Sequence, residues 1–170
     1  MDFAAYVRDI KDFPKSGVTF KDITPLLNNP EALKKACDAL SGFTTNMKID
    51  KVVGVDSRGF IFAPMLAERL KAGFVPVRKK GKLPYKTVSE AYVLEYGSET
   101  LEIHTDAIKK GEKVLIHDDV LATGGTASAV CKLVEQLGGE VVQCNFLVEL
   151  TFLNGAQKLN GYQIEALLQY

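Results

Sequence analysis

The sequence predicts an α/β fold, a mostly parallel sheet flanked by helices. Three observations carry the fold class itself. Two apolar, β-branched runs, residues 51–55 and 114–116, each lead through a polar loop into an amphipathic stretch and then a second apolar run, the order of a βαβ unit. The chain has 170 residues, enough for one domain whose core needs neither disulfide staples nor a structural metal. Its composition, 46% hydrophobic and 25% charged, is that of an ordinary folded domain rather than a disordered or coiled-coil chain.

Each element follows in turn. Asp2 ahead of Phe3, Tyr6, Val7 and Ile10, spaced by three, four and seven, predicts a short capped helical arm. Asn29-Pro30-Glu31 reads as cap, first-turn proline and first-turn acid of a second helix with Leu33, Ala36, Cys37 and Leu40 on one face. Residues 51–55 form a strand, DSRG a loop, 60–70 a helix ending at Gly73, and 74–77 the next strand. The unit recurs: strand 114–116, loop 117–125, a helix with Val130, Leu133, Val134 and Leu137 on one side, Gly138 and Gly139 as its stop, and strand 141–150. Between the units, residues 87–105 alternate around Gly97-Ser98, a glycine-first pair suited to a tight turn, and predict an antiparallel ribbon projecting from the sheet. The preceding RKKGKLPYK, residues 78–86, is a basic loop. We expect a single domain over residues 1–170.

Charge narrows the function. Twenty-one basic and 21 acidic side chains cancel, so no broad field draws a nucleic acid or an anionic membrane, and any anion must be held locally. Three cysteines without a C-x-x-C pair predict reduced thiols. The opening MDFAAYVRDIKDF lacks the order of a signal peptide, and no apolar run is long enough for a membrane span, so we expect a cytoplasmic protein.

The strongest chemical signal is VLIHDDVLATGGTA, residues 114–127. An apolar strand delivers Asp118 and Asp119 to its carboxyl end, the edge where open α/β sheets bind ligands. Ala122, Thr123, Gly124, Gly125 and Thr126 offer backbone N–H groups, two hydroxyls and a helix start, a cradle for a phosphate monoester. The adjacent carboxylates accept hydrogen bonds and suit a vicinal diol, so the pair reads as a ribose grip. Neither a Walker A loop nor G-x-G-x-x-G occurs.

This string resembles the phosphoribosyl-pyrophosphate (PRPP) signature of the type I phosphoribosyltransferases. FPKSGVTFKDITPLL (13–27), GVDSRGFIF (54–62), VPVRKKGKLP (75–84), LEYG (94–97) and LEIHTDAI (101–108) narrow the resemblance to the adenine-specific members. It implies an amino-terminal hood contributed mainly by about residues 1–27 and a transferase converting adenine and PRPP to AMP and pyrophosphate. Asp56, Ser57, Arg58 and Gly59 are implied to hold pyrophosphate, with a non-proline cis peptide between Asp56 and Ser57. Arg58 brings a planar cationic fork to the departing group, and Arg78, Lys79 and Lys82 are its further cations. Thr19, Phe20 and Lys21 are implied for adenine, Phe20 by stacking and the main chain of its neighbours by edge pairing. Glu95 is the acid–base residue, at N7 or at N9 of the base, and Tyr96 closes over the site. The resemblance also implies Mg²⁺ held mainly by substrate and water, and a homodimer.

The chain departs from the family pattern at His117, where an aliphatic residue is usual, at Ala63, where glycine is common, and at Ala156, which replaces a frequent arginine. Two rivals stand beside this reading: a transferase for a 6-oxopurine or orotate, and a non-catalytic PRPP sensor.

Overall fold

The structure, a computed structural model, describes residues 1–93 and 98–170, in two compact units, Met1–Ala39 and Leu40–Tyr170. The segment expected as a hood lies in the first unit.

In that unit, Asp2 Oδ1 accepts from the Ala4 N–H at 3.0 Å and starts a 3₁₀ turn, Ala4–Tyr6. The expected helical arm ends there. β1 (Arg8–Lys11) instead pairs antiparallel with β2 (Thr19–Asp22), placing Ile10 opposite Phe20. The three-four-seven spacing fits a helix, but β-branched Val7 and Ile10 suit an extended chain, and the pairing strand lies too far along for a local pattern to show it. Ion pairs of 2.6 Å from Arg8 to Asp22 and 2.7 Å from Lys21 to Asp9 bind the two strands. Asp22 also accepts from the Thr24 N–H and hydroxyl, both at 2.9 Å. Those bonds and Arg8 hold its carboxyl down to about 2.

After α1 (Thr24–Asn28), α2 (Pro30–Gly42) begins as the sequence predicts, with Asn29 Oδ1 accepting from the N–H groups of Glu31 and Ala32. Its buried positions are Ala32, Ala36, Cys37 and Leu40, so Ala32 takes the place expected of Leu33.

The second unit is built on a seven-stranded sheet. Its strands are β3 (Lys51–Val55), β4 (Gly73–Lys79), β5 (Thr87–Val93), β6 (Ser98–His104), β7 (Lys113–Leu121), β8 (Glu140–Glu149) and β9 (Ile164–Gln169), in the spatial order β5-β6-β4-β3-β7-β8-β9. Pairs β3–β4, β3–β7, β7–β8 and β8–β9 are parallel. Helices α3 (Gly59–Leu70) and α4 (Gly125–Gln136) make the two crossovers that parallel neighbours require. Val53, Val55, Ile116, Val130, Leu133 and Phe146 meet in the core between sheet and helix, each burial contributing about 1.5–3 kcal/mol.

The ribbon differs from expectation in two ways. A two-residue turn at Gly97-Ser98 would set Tyr92 opposite Ile103, yet Tyr92 faces Glu99 and Val93 faces Ser98. Nor does the ribbon stand apart, since β6 pairs antiparallel with β4 through Arg78–Glu102 and Lys79–Leu101 and extends the sheet. The first two residues of the basic segment are therefore strand residues, with fixed directions. Among the described residues, no helix is long and apolar enough to cross a membrane.

Candidate active site

β3 and β7 are adjacent and parallel, so the loops that follow them open at the same edge of the sheet. Between these loops and the ribbon lies a cleft of about 300 Å³. Asp56, Ser57, Arg58, Lys79, Asp118, Asp119 and Thr126, all singled out from sequence, line it together with Tyr92 and Glu99, which were not. A second cavity of about 60 Å³ is lined by Ala122, Thr123, Gly124 and Thr126 and again by Asp118.

The smaller cavity is made of main chain. Gly124, at φ 77°, is the N-cap of α4 and leaves the first-turn N–H groups without a capping side chain. It is also tightly enclosed. A Cβ on Gly124 would come within 2.2 Å of the Gly155 carbonyl oxygen, and one on Gly155 within 2.2 Å of the Ala122 oxygen. Two glycines thus let the 3₁₀ segment Gly155–Leu159 press against the loop and fix its shape. Gly155 was missed because nothing near it in sequence hints at that contact. Its neighbour Ala156, half-buried, packs against the core.

Asp118 and Asp119 lie inside β7, in a stretch expected as loop. Asp118 Oδ1 accepts from the Asp119 N–H at 2.9 Å, and Arg58 Nε lies 2.9 Å from Asp119 Oδ2. Burial, followed by the neighbouring Asp119 charge, pushes the Asp118 carboxyl well up; burial raises Asp119 too, against the pull of Arg58. A ligand that donates hydroxyl protons to both would relieve this cost. Gly59 supports the arrangement, since a Cβ there would meet Asp118 Oδ1 at 2.9 Å.

The loop after β3 is made of charge. Its Asp56–Ser57 peptide is cis, at the place the resemblance implied. Arg78 Nε pairs with Asp56 Oδ2 at 2.8 Å, and its Nη1 donates to the Lys82 carbonyl at 3.2 Å. The Lys82 side chain itself is exposed. Lys79 pairs with Glu99, whose other oxygen accepts from the Tyr92 hydroxyl at 3.0 Å. Thr126 Oγ1 donates to that same hydroxyl at 3.2 Å. The Glu99 carboxylate raises the proton affinity of Lys79, and Lys79 in turn holds the Glu99 carboxyl below its ordinary value.

Behind the pair, His117 is fully buried, its Nδ1 2.7 Å from Asn145 Oδ1 and its ring edge-on to Phe62. Burial lowers it to about 4, so it is neutral near neutral pH. Ala63 sits where a Cβ on Gly54 would approach within 2.6 Å, so strand and helix touch here only because residue 54 is glycine. In the first unit, Thr19 and Lys21 flank Phe20, which packs edge-on against Phe13 at 5.3 Å. Glu95 and Tyr96 lie outside the described residues.

Known proteins agree with this geometry. The model of the phosphoribosyl transferase domain matches residues 14–160. The adenine phosphoribosyltransferase of Christiangramia forsetii is 65% identical over 170 residues, covering 100% of this chain and 99% of that protein. Among solved structures, the adenine phosphoribosyltransferase of Thermoanaerobacter pseudethanolicus is 50% identical with a TM-score of 0.97, covering 99% of this chain and 98% of that one. The Saccharomyces cerevisiae enzyme, complexed with an imino-altritol bisphosphate and adenine, is 43% identical with a TM-score of 0.94, covering 98% of this chain and 97% of that one. With a parallel-sheet edge bearing two loops and an acidic pair between them, and with relatives matched from end to end, this chain belongs to the adenine phosphoribosyltransferase family.

Proposed function

We propose that the protein transfers the phosphoribosyl group of PRPP to adenine, giving AMP and pyrophosphate, a step of purine salvage. Family membership supports this, and one observation carries it: Asp118 lines both the main-chain phosphate cavity and the larger charged cleft, which is where a ribose joining two phosphate groups would have to lie.

The roles follow from what each group can do. N–H groups of residues 122–126 bind the 5′-phosphate, and Asp118 with Asp119 accept from the ribose hydroxyls. Pyrophosphate is held by Asp56 to Gly59 with Arg58, Arg78, Lys79 and Lys82, whose charges stabilise it as its bond to the sugar's C1 breaks. Thr19, Phe20 and Lys21 take the adenine. N9 of the base forms the new bond, and Glu95 is assigned to the proton that N9 gives up.

Magnesium belongs to the same reading. Among the described residues no three His, Cys, Asp or Glu side chains gather into a metal cage. The hard carboxylate oxygens of Asp118 and Asp119 instead fit an ion carried in mainly by substrate oxygens and water, with those two residues facing it. When bound, it adds positive charge beside the leaving group.

We further assign the protein to a cytoplasmic homodimer of chains that each act as one functional domain over residues 1–170. Cys37, Cys131 and Cys144 are buried and outside any disulfide, which suits a reducing compartment. Phe74, exposed on β4 and edge-on to Phe60, offers apolar surface for a second copy. Sedimentation equilibrium should give twice the chain mass. The deciding assay is incubation with PRPP, Mg²⁺ and labelled adenine, with AMP as the expected product. Faster turnover of hypoxanthine, or PRPP binding without turnover, would overturn the reading.

A further inference from the structure

A continuous chain of polar contacts crosses the cleft. It starts at the Thr126 hydroxyl, beside the main-chain phosphate cavity, passes through the Tyr92 hydroxyl and the Glu99 carboxylate, and ends at the Lys79 ammonium. The direction of donation is fixed by chemistry. Lys79 only donates and carboxylate Glu99 only accepts, so Tyr92 gives its proton to Glu99 and receives one from Thr126.

The sheet sets this order. Tyr92 and Glu99 are direct cross-strand partners on β5 and β6, while Lys79 lies on β4 beside Leu101 of β6. Tyr92 is anchored by packing against the core. Glu99 is one of the acids lining the cleft, with Asp56, Asp118 and Asp119, and it holds a lysine and a tyrosine at once. Its place is explained by what it holds.

We propose that Tyr92 and Glu99 are positioning residues, which tie the phosphate-side hydroxyl of Thr126 to the pyrophosphate-side ammonium of Lys79 and so present both to PRPP in register. This rests on the assignment of the two anion sites above. The arrangement stations Lys79 at the cleft and spares it a search among rotamers when pyrophosphate binds, a saving that shows in substrate binding rather than in the chemical step.

The test is a double-mutant cycle read in PRPP kinetics. Tyr92→Phe keeps the packed ring and the Lys79–Glu99 pair but removes both hydroxyl contacts. It should raise the KM for PRPP about fivefold with kcat changed less than about twofold, the size expected for lost hydrogen bonds that serve binding. Glu99→Ala should act similarly, and adding Tyr92→Phe to it should cost nothing more, because the tie is already cut. Glu99→Gln retains an acceptor for the tyrosine, so in that background Tyr92→Phe should again raise KM. A purely structural role would not restore the dependence in this way.

An unchanged KM in Tyr92→Phe, or effects that multiply in the Glu99→Ala background, would overturn the proposal. Gly124→Ala separates this from a misread site. If Gly124→Ala, whose methyl group displaces the loop's main chain, raises the PRPP KM while Tyr92→Phe does not, only the tie is wrong; if neither does, the phosphate assignment falls and the tie with it.

Discussion

The two loops that meet at the sheet edge, residues 56–59 after β3 and 122–126 after β7, each proposed to hold an anion, are built by opposite means. The loop after β7 is a main-chain device, with Gly124 at φ 77° and Gly155 pressed against Ala122, and no cation lines its 60 Å³ cavity. The loop after β3 works with β4 as a side-chain device, in which Arg58 of the loop and Arg78 and Lys79 of β4 are held by Asp119, Asp56 and Glu99. The difference matches two tasks. A group that stays on the product throughout is best met by fixed dipoles, whereas one that gains charge and then departs is best met by cations that can change partners.

The sharpest way to break this comparison is Gly155→Ala. Its methyl group would come within 2.2 Å of the Ala122 oxygen and displace the main-chain cradle. PRPP kcat/KM should fall about 100-fold or more in a protein that remains folded, as a misplacement of about 1 Å can cost. A normal value would show that the loop's shape does not depend on Gly155. Glu95→Ala should cost about 100-fold in kcat, the low end of acid–base contributions, while calorimetry still detects PRPP at both loops. Undiminished turnover would take Glu95 out of the mechanism. Arg58→Lys keeps the charge but loses the fork, and KM for PRPP should rise about tenfold. Because the charge is unchanged, that penalty should vary little with ionic strength.

The smallest effect on turnover is expected at His117, in the strand that carries the acidic pair. Its folded value of about 4 lies below the ordinary 6.5, so the unfolded chain binds the proton more readily as pH falls between them. The associated stability is present above pH 6.5 and is lost on acidification. From pH 7 to pH 5 the loss should be about 2 kcal/mol. Urea unfolding of wild type and His117→Val at both pH values checks this; equal slopes with pH would refute it.

How much of this could be read beforehand depended on whether the cause was local. Asn29-Pro30-Glu31 announced α2 because a cap acts within its own turn. The apolar runs 51–55 and 114–116 announced their strands because a strand buried on both faces has little polar sequence. The DD and TGGT strings placed Asp118, Asp119 and the cradle for the same reason. What stayed hidden depends on distant partners. β1 takes its form from residues 19–22, β9 from β8, and Tyr92 meets Glu99 only in a register that the Gly97-Ser98 pair misstates. Gly155 looks like any loop glycine until its distance to Ala122 is known.

That last contact also orders events at the ribosome. A nascent chain whose emerged portion stops short of residue 155 already carries every side chain assigned to PRPP, yet its 122–126 segment lacks the stop that shapes it. Competence to capture the sugar phosphate should therefore arrive late in synthesis, set by a residue that contributes no functional group at all.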